Sequence, residues 1–127
     1  MLVVEGHERI LFVDDEEVLA RWGQLTLEPL GYRVVACTSG TEALQIFRDA
    51  PHAFDLLITD QTMPSMTGDV LAREVWQIRP DLPIILCTGT SMTMTPVKAE
   101  RLGIRAYLLK PVMQQDLSRA IREVFDP

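Results

Sequence analysis

Five polar side chains each directly follow a short apolar run, and together they could carry out phosphoryl chemistry. They are Asp14 and Asp15 after the run at 10–13, Asp60 after 56–59, Thr88 after 84–87 and Lys110 after 107–109. If the runs are parallel strands, their carboxyl ends share one edge of the sheet, where ligands bind in open α/β sheets. Three carboxylates, a hydroxyl and an amine would then meet. Such a set can hold a divalent cation and handle a phosphoryl group.

The acidic pair alone permits two interpretations. Asp14 and Asp15 precede Glu16 and Glu17 at a predicted helix start, where acidic groups cap free amides and complement the helix dipole. Asp60 favours a metal site instead, because it would end a strand beside the first. Two unit charges 4 Å apart repel by about 4 kcal/mol at an effective dielectric of 20, so three clustered carboxylates indicate a cation. Mg²⁺ is the natural candidate, since it prefers oxygen ligands and keeps exchangeable waters.

Short apolar runs alternate along the chain with segments of helical period, a pattern typical of βαβ units around a parallel sheet. The predicted strands are 10–13, 33–37, 56–59, 83–87 and 106–109. The predicted helices are 16–30 ending at Gly31, 41–49, 69–78, a short one from Pro96 between a cap at Thr95 and Gly103, and a C-terminal one. With 127 residues, this is one doubly wound α/β domain.

Apolar spacing predicts which helix faces pack inward. The stripes are Val18, Leu19, Trp22, Leu25 and Leu30 in the first helix, Val70, Leu71, Val75 and Ile78 in the third, and Met113, Leu117, Ala120, Ile121 and Val124 in the last. Trp22 and Trp76 are expected to pack on helix faces. The last helix has no obvious side chain to cap its first turn.

Composition and charge exclude several classes of protein. The chain is 47% hydrophobic and 24% charged, so it is neither disordered nor fibrous. Its net charge is −6 with scattered Lys and Arg, which argues against direct nucleic-acid binding. Cys37 and Cys87 lie in different runs without paired spacing, which favours free buried thiols in a reducing compartment. No run reaches membrane-spanning length and no signal peptide is recognised, so we expect a cytoplasmic location without membrane contact.

A nine-residue pattern around Asp60 points to a known family. The residues 60–68 read D-x-x-M-P-x-M-x-G. Together with the acidic pair, Thr88-Gly89 and Lys110-Pro111, this pattern resembles the receiver domain of two-component response regulators. The resemblance covers residues 9–125, and residues 1–8 are expected to form a flexible lead-in. Stretches 6–17, 84–89 and 103–111 look most like receivers of hybrid sensor histidine kinases, although a stand-alone regulator stays open.

The resemblance implies a fold and a phosphoacceptor. The fold would be a flavodoxin-like (βα)5 domain with a five-stranded parallel sheet in the order 2-1-3-4-5. Asp60 matches the aspartate that accepts a phosphoryl group from a phosphohistidine. Asp15 and Asp60 match direct Mg²⁺ ligands, Asp14 matches a ligand acting mainly through water, and the carbonyl of Thr62 matches the remaining protein ligand.

The resemblance also implies a phosphate-binding lysine and two switch residues. Lys110 matches the lysine that pairs with phosphoryl oxygens, and its bond to Pro111 is expected to be cis. Thr88 matches the switch hydroxyl that moves to the phosphoryl group, and Tyr107 matches the aromatic that swings in behind it. Taken singly, these two residues would be an ordinary strand-end threonine and a half-buried strand former.

The resemblance implies a signalling protein rather than an enzyme, one that assists its own phosphotransfer and autodephosphorylation. Its partners would be a histidine kinase or a histidine phosphotransfer domain, and phosphorylation could drive homodimerisation. This chain departs from the commoner pattern where Pro96 shortens the fourth helix and a Thr/Met-rich loop, 90–95, precedes it. Those departures concern the output surface and leave the phosphate chemistry intact.

Three alternative functions fit the sequence less well. A small Mg²⁺-dependent phosphatase of the haloacid-dehalogenase type needs D-x-D followed by Thr or Val, whereas residues 14–17 are four consecutive acids. A flavodoxin-like cofactor binder needs a Ser/Thr/Gly loop of free amides after the first strand, which the same acids replace. A docking-only receiver would lack residues needed for chemistry, and all of them are present.

Overall fold

The computed structural model describes residues 5–89 and 94–126 of the 127-residue chain. Strands and helices alternate throughout this part. In order they are β1 (Arg9–Val13), α1 (Glu17–Leu27), β2 (Arg33–Cys37), α2 (Gly40–Asp49), β3 (Leu56–Asp60), α3 (Gly68–Ile78), β4 (Ile84–Thr88), α4 (Pro96–Leu102), β5 (Ala106–Leu109) and α5 (Gln114–Phe125). A short 3-10 helix, Glu28–Leu30, extends α1. The five predicted strands and five predicted helices are confirmed, with boundaries that differ by at most three residues.

The five strands form one parallel sheet in the order β2-β1-β3-β4-β5, as the resemblance implied. Register places Val13 beside Thr59 and Asp60 beside Cys87. The chain crosses from one half of the sheet to the other between β1 and β3, so this is the switch point of the doubly wound fold. The residues after β1 and at the end of β3 therefore lie on the two sides of one crevice.

Helices cover both faces of the sheet, and each face has its own hydrophobic core. On one face α2, α3 and α4 pack on β1, β3 and β4 through residues such as Phe47, Leu71 and Ala99. On the other face α1 and α5 pack through Leu27, Leu117 and Ile121. β3 and β4 are buried along their whole length, which explains why both read as continuous apolar runs. The rigid central strands thus end where the candidate site lies.

Local signals at the helix ends behave as predicted. Gly31 and Gly103 both adopt left-handed backbone, with φ of 103° and 114°, a region that glycine enters without a Cβ penalty. Thr95 caps α4 by accepting a hydrogen bond from the Lys98 amide at 3.2 Å. At the start of α5, Met113 makes no side-chain cap bond.

The predicted inward faces of two helices were partly wrong. Val18 and Leu25 of α1 are 79% and 59% exposed, and the buried face of α1 consists of Ala20, Gly23 and Leu27. Gly23 lies against the Phe12 ring of β1. A β-carbon at this position would stand about 2.5 Å from ring atoms of Phe12. Helix α1 thus approaches β1 closely at Gly23, and Val18 and Leu25 face solvent.

The same correction applies at α3 and before α5. Val70 and Ile78 are exposed while Leu71, Ala72 and Val75 are buried in α3. Met113 is exposed, whereas Leu117, Ala120 and Ile121 of α5 are buried as predicted. Trp22 and Trp76 pack partly buried against the two cores, as expected.

The described part of the predicted lead-in contacts the domain. The Gly6 amide donates to the Leu30 carbonyl at 2.9 Å, and Glu8 pairs with Arg122 of α5 at 2.6 Å. Residues 1–4 of the lead-in and residues 90–93 of the Thr/Met-rich loop lie outside the described residues. The domain limits therefore stay a prediction. Cys37 and Cys87 are free and buried, as predicted. Of the described helices, none is long and apolar enough to cross a bilayer.

Candidate functional site

The carboxyl edge of the sheet brings the predicted chemical residues together. Asp14 and Asp15 directly follow β1, Asp60 and Thr88 are the last residues of β3 and β4, and Lys110 directly follows β5. Because all five strands are parallel, their carboxyl ends meet at one edge. The side chains arrive there from positions up to 96 residues apart.

Three carboxylates form a compact acidic cluster at this edge. One oxygen each from Asp14, Asp15 and Asp60 lies within 4.8 Å of the others. Asp14 and Asp60 are only 4% and 5% exposed, while Asp15 is exposed to solvent. The cluster therefore has a buried floor and one acid at its opening.

Asp14 serves two neighbours with its two oxygens. Its Oδ1 accepts a hydrogen bond from the Glu16 amide at 2.9 Å, which fixes the turn before α1. Its Oδ2 faces the Lys110 ammonium at 2.8 Å. The N-cap residue of α1 is Glu16, and it makes no side-chain cap bond. The capping interpretation therefore explains one oxygen of Asp14 and leaves the rest of the cluster to another role.

Lys110 supplies the positive charge that faces the acids. Its ammonium lies 3.3 Å from Oδ1 of Asp60 as well as close to Asp14. Its backbone amide donates to the Thr88 carbonyl at 2.8 Å, which extends the β4–β5 pairing and fixes where the side chain leaves the sheet. The Lys110–Pro111 peptide bond is cis, as the resemblance implied.

The surroundings of the site raise the pKa values of both Asp60 and Lys110. Burial raises the pKa of Asp60 to about 6, with Lys110 opposing and the Asp14 charge adding to the rise. Burial lowers the pKa of Lys110, but the Asp14 and Asp60 carboxylates outweigh it and raise that pKa above its ordinary value. Burial is the main cause of the rise at Asp60, whereas the neighbouring carboxylates cause the rise at Lys110. One lysine does not fully compensate three acids.

The two predicted switch residues occupy different surroundings. Thr88 is fully buried, and its hydroxyl has no hydrogen-bond partner within the described residues. A buried hydroxyl without a partner is uncommon in proteins. One explanation is that the hydroxyl binds a ligand group. Tyr107 is half-buried in β5, and its hydroxyl donates to the Met94 carbonyl at 3.4 Å, before α4. Tyr107 is thus tied to the segment that leads into α4.

The loop between β3 and α3 holds an unusual turn. Met63 is buried in the core and anchors the loop, whereas Thr62 is exposed. Ser65 has φ of 69°, and the Met66 amide donates to the Pro64 carbonyl at 2.7 Å across it. This is a γ-turn with positive φ, a rare and strained conformation. Strain of this kind is often found at functional sites.

Gly68 is required where α3 starts, because its backbone lies against β3. A β-carbon at this position would stand 2.4 Å from the carbonyl oxygen of Asp60 and 2.8 Å from a methyl of Leu86. The glycine of the sequence pattern therefore allows the helix to begin directly beside Asp60.

Sequence reasoning missed a pair of residues that shapes this loop. Gln61 is 3% exposed, and its side chain makes two hydrogen bonds with Asp69 across the ends of the loop. No local pattern pairs positions 61 and 69, since the two are eight positions apart and a loop lies between them. The only signal was a glutamine directly after Asp60, at the end of a mostly apolar strand.

The donor chemistry of this edge fits Mg²⁺. Three carboxylate oxygens within 4.8 Å of one another offer the hard ligands that Mg²⁺ prefers. The buried hydroxyl of Thr88, at the end of the adjacent strand, has no hydrogen-bond partner in the part of the chain that the structure describes. Asp14, Asp15 and Asp60 are the side chains that could hold the ion.

Comparison with known proteins agrees with this architecture. The family model described as response regulator receiver domain matches residues 10–122. The crystal structure of a response regulator receiver domain protein from Clostridium thermocellum is similar, with a TM-score of 0.88, 35% identity and 94% of each chain covered. A probable transcriptional regulator, ycf27, of Cyanidium caldarium is 34% identical over 91% of this chain and 45% of its own length. The sensor kinase CckA of Brucella abortus is 28% identical over 97% of this chain and 13% of its own.

The chain spans less than half the length of these two curated relatives. What it shares with them is therefore one domain within their length. With the family model matching nearly the whole described domain, the chain belongs to the response regulator receiver domain family.

Proposed function

We propose that this receiver domain accepts a phosphoryl group on Asp60 from the phosphohistidine of a histidine kinase or a phosphotransfer protein. A carboxylate oxygen of Asp60 forms a bond to phosphorus while the bond between phosphorus and the imidazole nitrogen breaks. The nitrogen keeps the electron pair, and the product is an acyl phosphate on Asp60. The observation that carries this proposal is the convergence of three carboxylates and Lys110 at the carboxyl edge of the sheet.

Each residue of the edge has a proposed part in this transfer. Asp14, Asp15 and the carbonyl of Thr62 hold Mg²⁺ together with Asp60. When bound, the ion neutralises charge on the transferring group. Lys110 keeps Asp60 ionised and then pairs with the phosphoryl oxygens, for which its compact ammonium is suited. The metal and lysine roles are supported by the short distances between these groups.

Thr88 and Tyr107 are proposed to report the new charge. Thr88 would donate its hydroxyl to a phosphoryl oxygen, which is supported by its burial and by its lack of a partner among the described residues. Tyr107 would give up its long bond to the Met94 carbonyl and turn inward. The surface around α4 and β5 would change as a result, in the manner of other phosphorylation switches.

A small phosphodonor tests the proposal directly. Wild-type protein incubated with acetyl phosphate and Mg²⁺ should gain the mass of one phosphoryl group, mapped to Asp60, and Asp60→Asn should gain none. Omitting Mg²⁺ should abolish the gain. Wild type that stays unmodified with Mg²⁺ bound would favour a docking-only receiver. Steady turnover of a small phosphate ester would instead favour the phosphatase alternative.

The setting of the domain is part of the same proposal. A module in a hybrid sensor kinase is favoured by the matched stretches of sequence, and one relative is named a sensor kinase. Free buried cysteines suit a reducing, cytoplasmic location. Slow autodephosphorylation of Asp60 would reset the signal, and its lifetime can be read from the decay of the phosphoryl mass.

Dimerisation on phosphorylation is also proposed. Val97 of α4, Leu109 of β5 and Met113 before α5 are all more than half exposed. Sedimentation of the protein with beryllofluoride and Mg²⁺ should give a dimer, and an unchanged monomer would contradict this part.

A further inference from the structure

We infer that Gln61 and Asp69 form a clamp that presents the β3–α3 loop to the divalent cation, so that this pair sets the Mg²⁺ affinity of the site. The inference rests on the proposed function, because it concerns the ion that assists phosphoryl transfer to Asp60. Neither residue contacts the transferred group. Both are positioning residues that act through the loop between them.

Gln61 uses each of its polar groups to fix the two ends of the loop. Its amide donates to the Cys87 carbonyl at 3.1 Å, and its carbonyl accepts from the Gly68 amide at 2.9 Å. Its side-chain oxygen accepts from the Asp69 amide at 3.0 Å, and its side-chain nitrogen donates to Oδ1 of Asp69 at 2.9 Å. One residue therefore joins the end of β3 to its neighbour strand and to the start of α3.

These bonds replace an ordinary helix cap. Thr67 is the N-cap residue of α3, yet its side chain makes no cap bond. The first two helical amides, those of Gly68 and Asp69, are instead taken by the carbonyl and the side chain of Gln61. Free amides at a helix start need such partners. Helix α3 is thus capped by the strand that carries Asp60, which ties the position of the helix to that of the acceptor.

The Asp69 carboxylate is held in turn by its surroundings. The Thr67 hydroxyl donates to Oδ1 at 2.6 Å, and Arg73 lies 3.7 Å from Oδ2 on the next turn. Burial would raise the pKa of Asp69, but the bonds from Thr67 and Gln61 outweigh it and lower that pKa. Asp69 is therefore ionised at neutral pH, and it accepts both bonds in its charged form, which makes them strong.

The clamp affects Mg²⁺ binding because the loop between Gln61 and Asp69 carries one of the proposed ligands. The six residues from Thr62 to Thr67 include the proposed carbonyl ligand and the strained turn at Ser65. A strained loop keeps one conformation only when its surroundings hold it. Residues that orient metal ligands without touching the metal commonly affect affinity by 10- to 100-fold when removed. The fully bonded Gln61 side chain fits that role.

The test measures Mg²⁺ binding on folded protein. Gln61→Met keeps the length of the side chain and removes both of its bonds, whereas Asp69→Ala removes only the bond to the Asp69 carboxylate. Each should raise the Mg²⁺ dissociation constant, measured by calorimetry, by about tenfold. The double variant should lose little more than Gln61→Met alone, because the bond that Asp69→Ala removes is already lost there. Asp69→Asn keeps the acceptor oxygen and should retain most of the affinity.

Two further readouts separate positioning from general destabilisation. At saturating Mg²⁺ the rate of Asp60 phosphorylation by acetyl phosphate should return close to the wild-type rate in Gln61→Met. Trp76→Phe serves as the matched control, since it removes a hydrogen bond between Trp76 and the Leu82 carbonyl at the far end of α3 and should lower stability without changing Mg²⁺ affinity.

The outcomes that overturn the clamp are distinct from those that overturn the proposed function. Wild-type Mg²⁺ affinity in Gln61→Met, or additive losses in the double variant, would overturn the clamp while Asp60 is still phosphorylated in the wild type. If the wild type bound no Mg²⁺ and formed no acyl phosphate, the proposed function and the clamp would both fall.

Discussion

The Lys110 ammonium lies 3.3 Å from Oδ1 of Asp60, although the two residues are 50 positions apart and lie at the ends of different strands. The contact joins the group proposed to receive phosphate to the cation proposed to stabilise it. Burial nevertheless raises the pKa of Asp60 to about 6, because the Lys110 charge opposes that rise only in part.

The first prediction concerns Asp60 and stability. A carboxyl whose pKa is raised by folding stabilises the protein fully below its unfolded pKa, near 3.8, and that contribution is lost as pH rises through about 6. In metal-free protein, Asp60→Asn should therefore raise the free energy of unfolding at pH 7.5 by on the order of 2 kcal/mol. Urea unfolding in chelator at pH 4 and pH 7.5 measures it.

The gain should shrink toward pH 4, where wild-type Asp60 is already protonated in the folded state. A difference between variant and wild type that stays the same at both pH values would contradict the assigned cause. Adding Mg²⁺ should stabilise the wild type more than Asp60→Asn, since binding to the native state shifts the unfolding equilibrium.

The second prediction concerns Asp15, the exposed acid of the cluster. Asp15→Asn should weaken Mg²⁺ binding at least about tenfold, because it removes a proposed direct ligand. The free energy of unfolding should change by less than about 0.5 kcal/mol, as for most exposed positions. Calorimetric titration and urea unfolding give the two numbers.

Glu17→Gln is the matched control for Asp15→Asn. Glu17 is an exposed acid in the first turn of α1, and it does not belong to the three-acid cluster. Equal losses of Mg²⁺ affinity in the two variants would indicate a general charge effect and would remove Asp15 from the site.

The third prediction concerns the close approach of α3 and β3. Gly68→Ala places a methyl group against the Asp60 carbonyl and Leu86, so the helix start must shift. We expect a loss of about 2 kcal/mol or more in unfolding free energy and slower phosphorylation by acetyl phosphate. Gly89→Ala is the control for stability alone, because a β-carbon there has no heavy atom within 4 Å. Similar destabilisation in Gly68→Ala and Gly89→Ala would contradict the steric explanation.

The fourth prediction concerns the turn at Ser65. Glycine accepts a positive φ without a Cβ clash, so Ser65→Gly should stabilise the domain by about 0.5–1 kcal/mol after the entropy of the unfolded chain is counted. The same exchange at Ser118, inside α5, should instead destabilise it, because glycine is unfavourable within a helix. Thermal unfolding of both variants decides; a destabilising Ser65→Gly would mean that the serine side chain holds the turn.

Much of the fold and most of the site followed from sequence, for identifiable reasons. Polar residues at the ends of apolar runs marked the carboxyl edge because parallel strands must share it. Gly31, Thr95 and Gly103 marked helix ends because their conformational and capping preferences act locally. The faces of α1 were mispredicted because Val18 and Leu25 have the right spacing, while close packing of Gly23 on Phe12 selected a different face.

By itself, the sequence determined the order of elements, the parallel sheet and the placement of Asp14, Asp15, Asp60, Thr88 and Lys110 at one edge of that sheet. These features depend on the residue types at strand and helix ends, whose conformational and polar preferences act locally. Only the tertiary structure decided that Lys110 divides its ammonium between two acids, that Thr88 is left without a partner among the described residues, and that Gln61 caps α3 through Asp69. Such contacts depend on how loops close and helices pack, and one sequence does not specify those distances until the whole chain has folded.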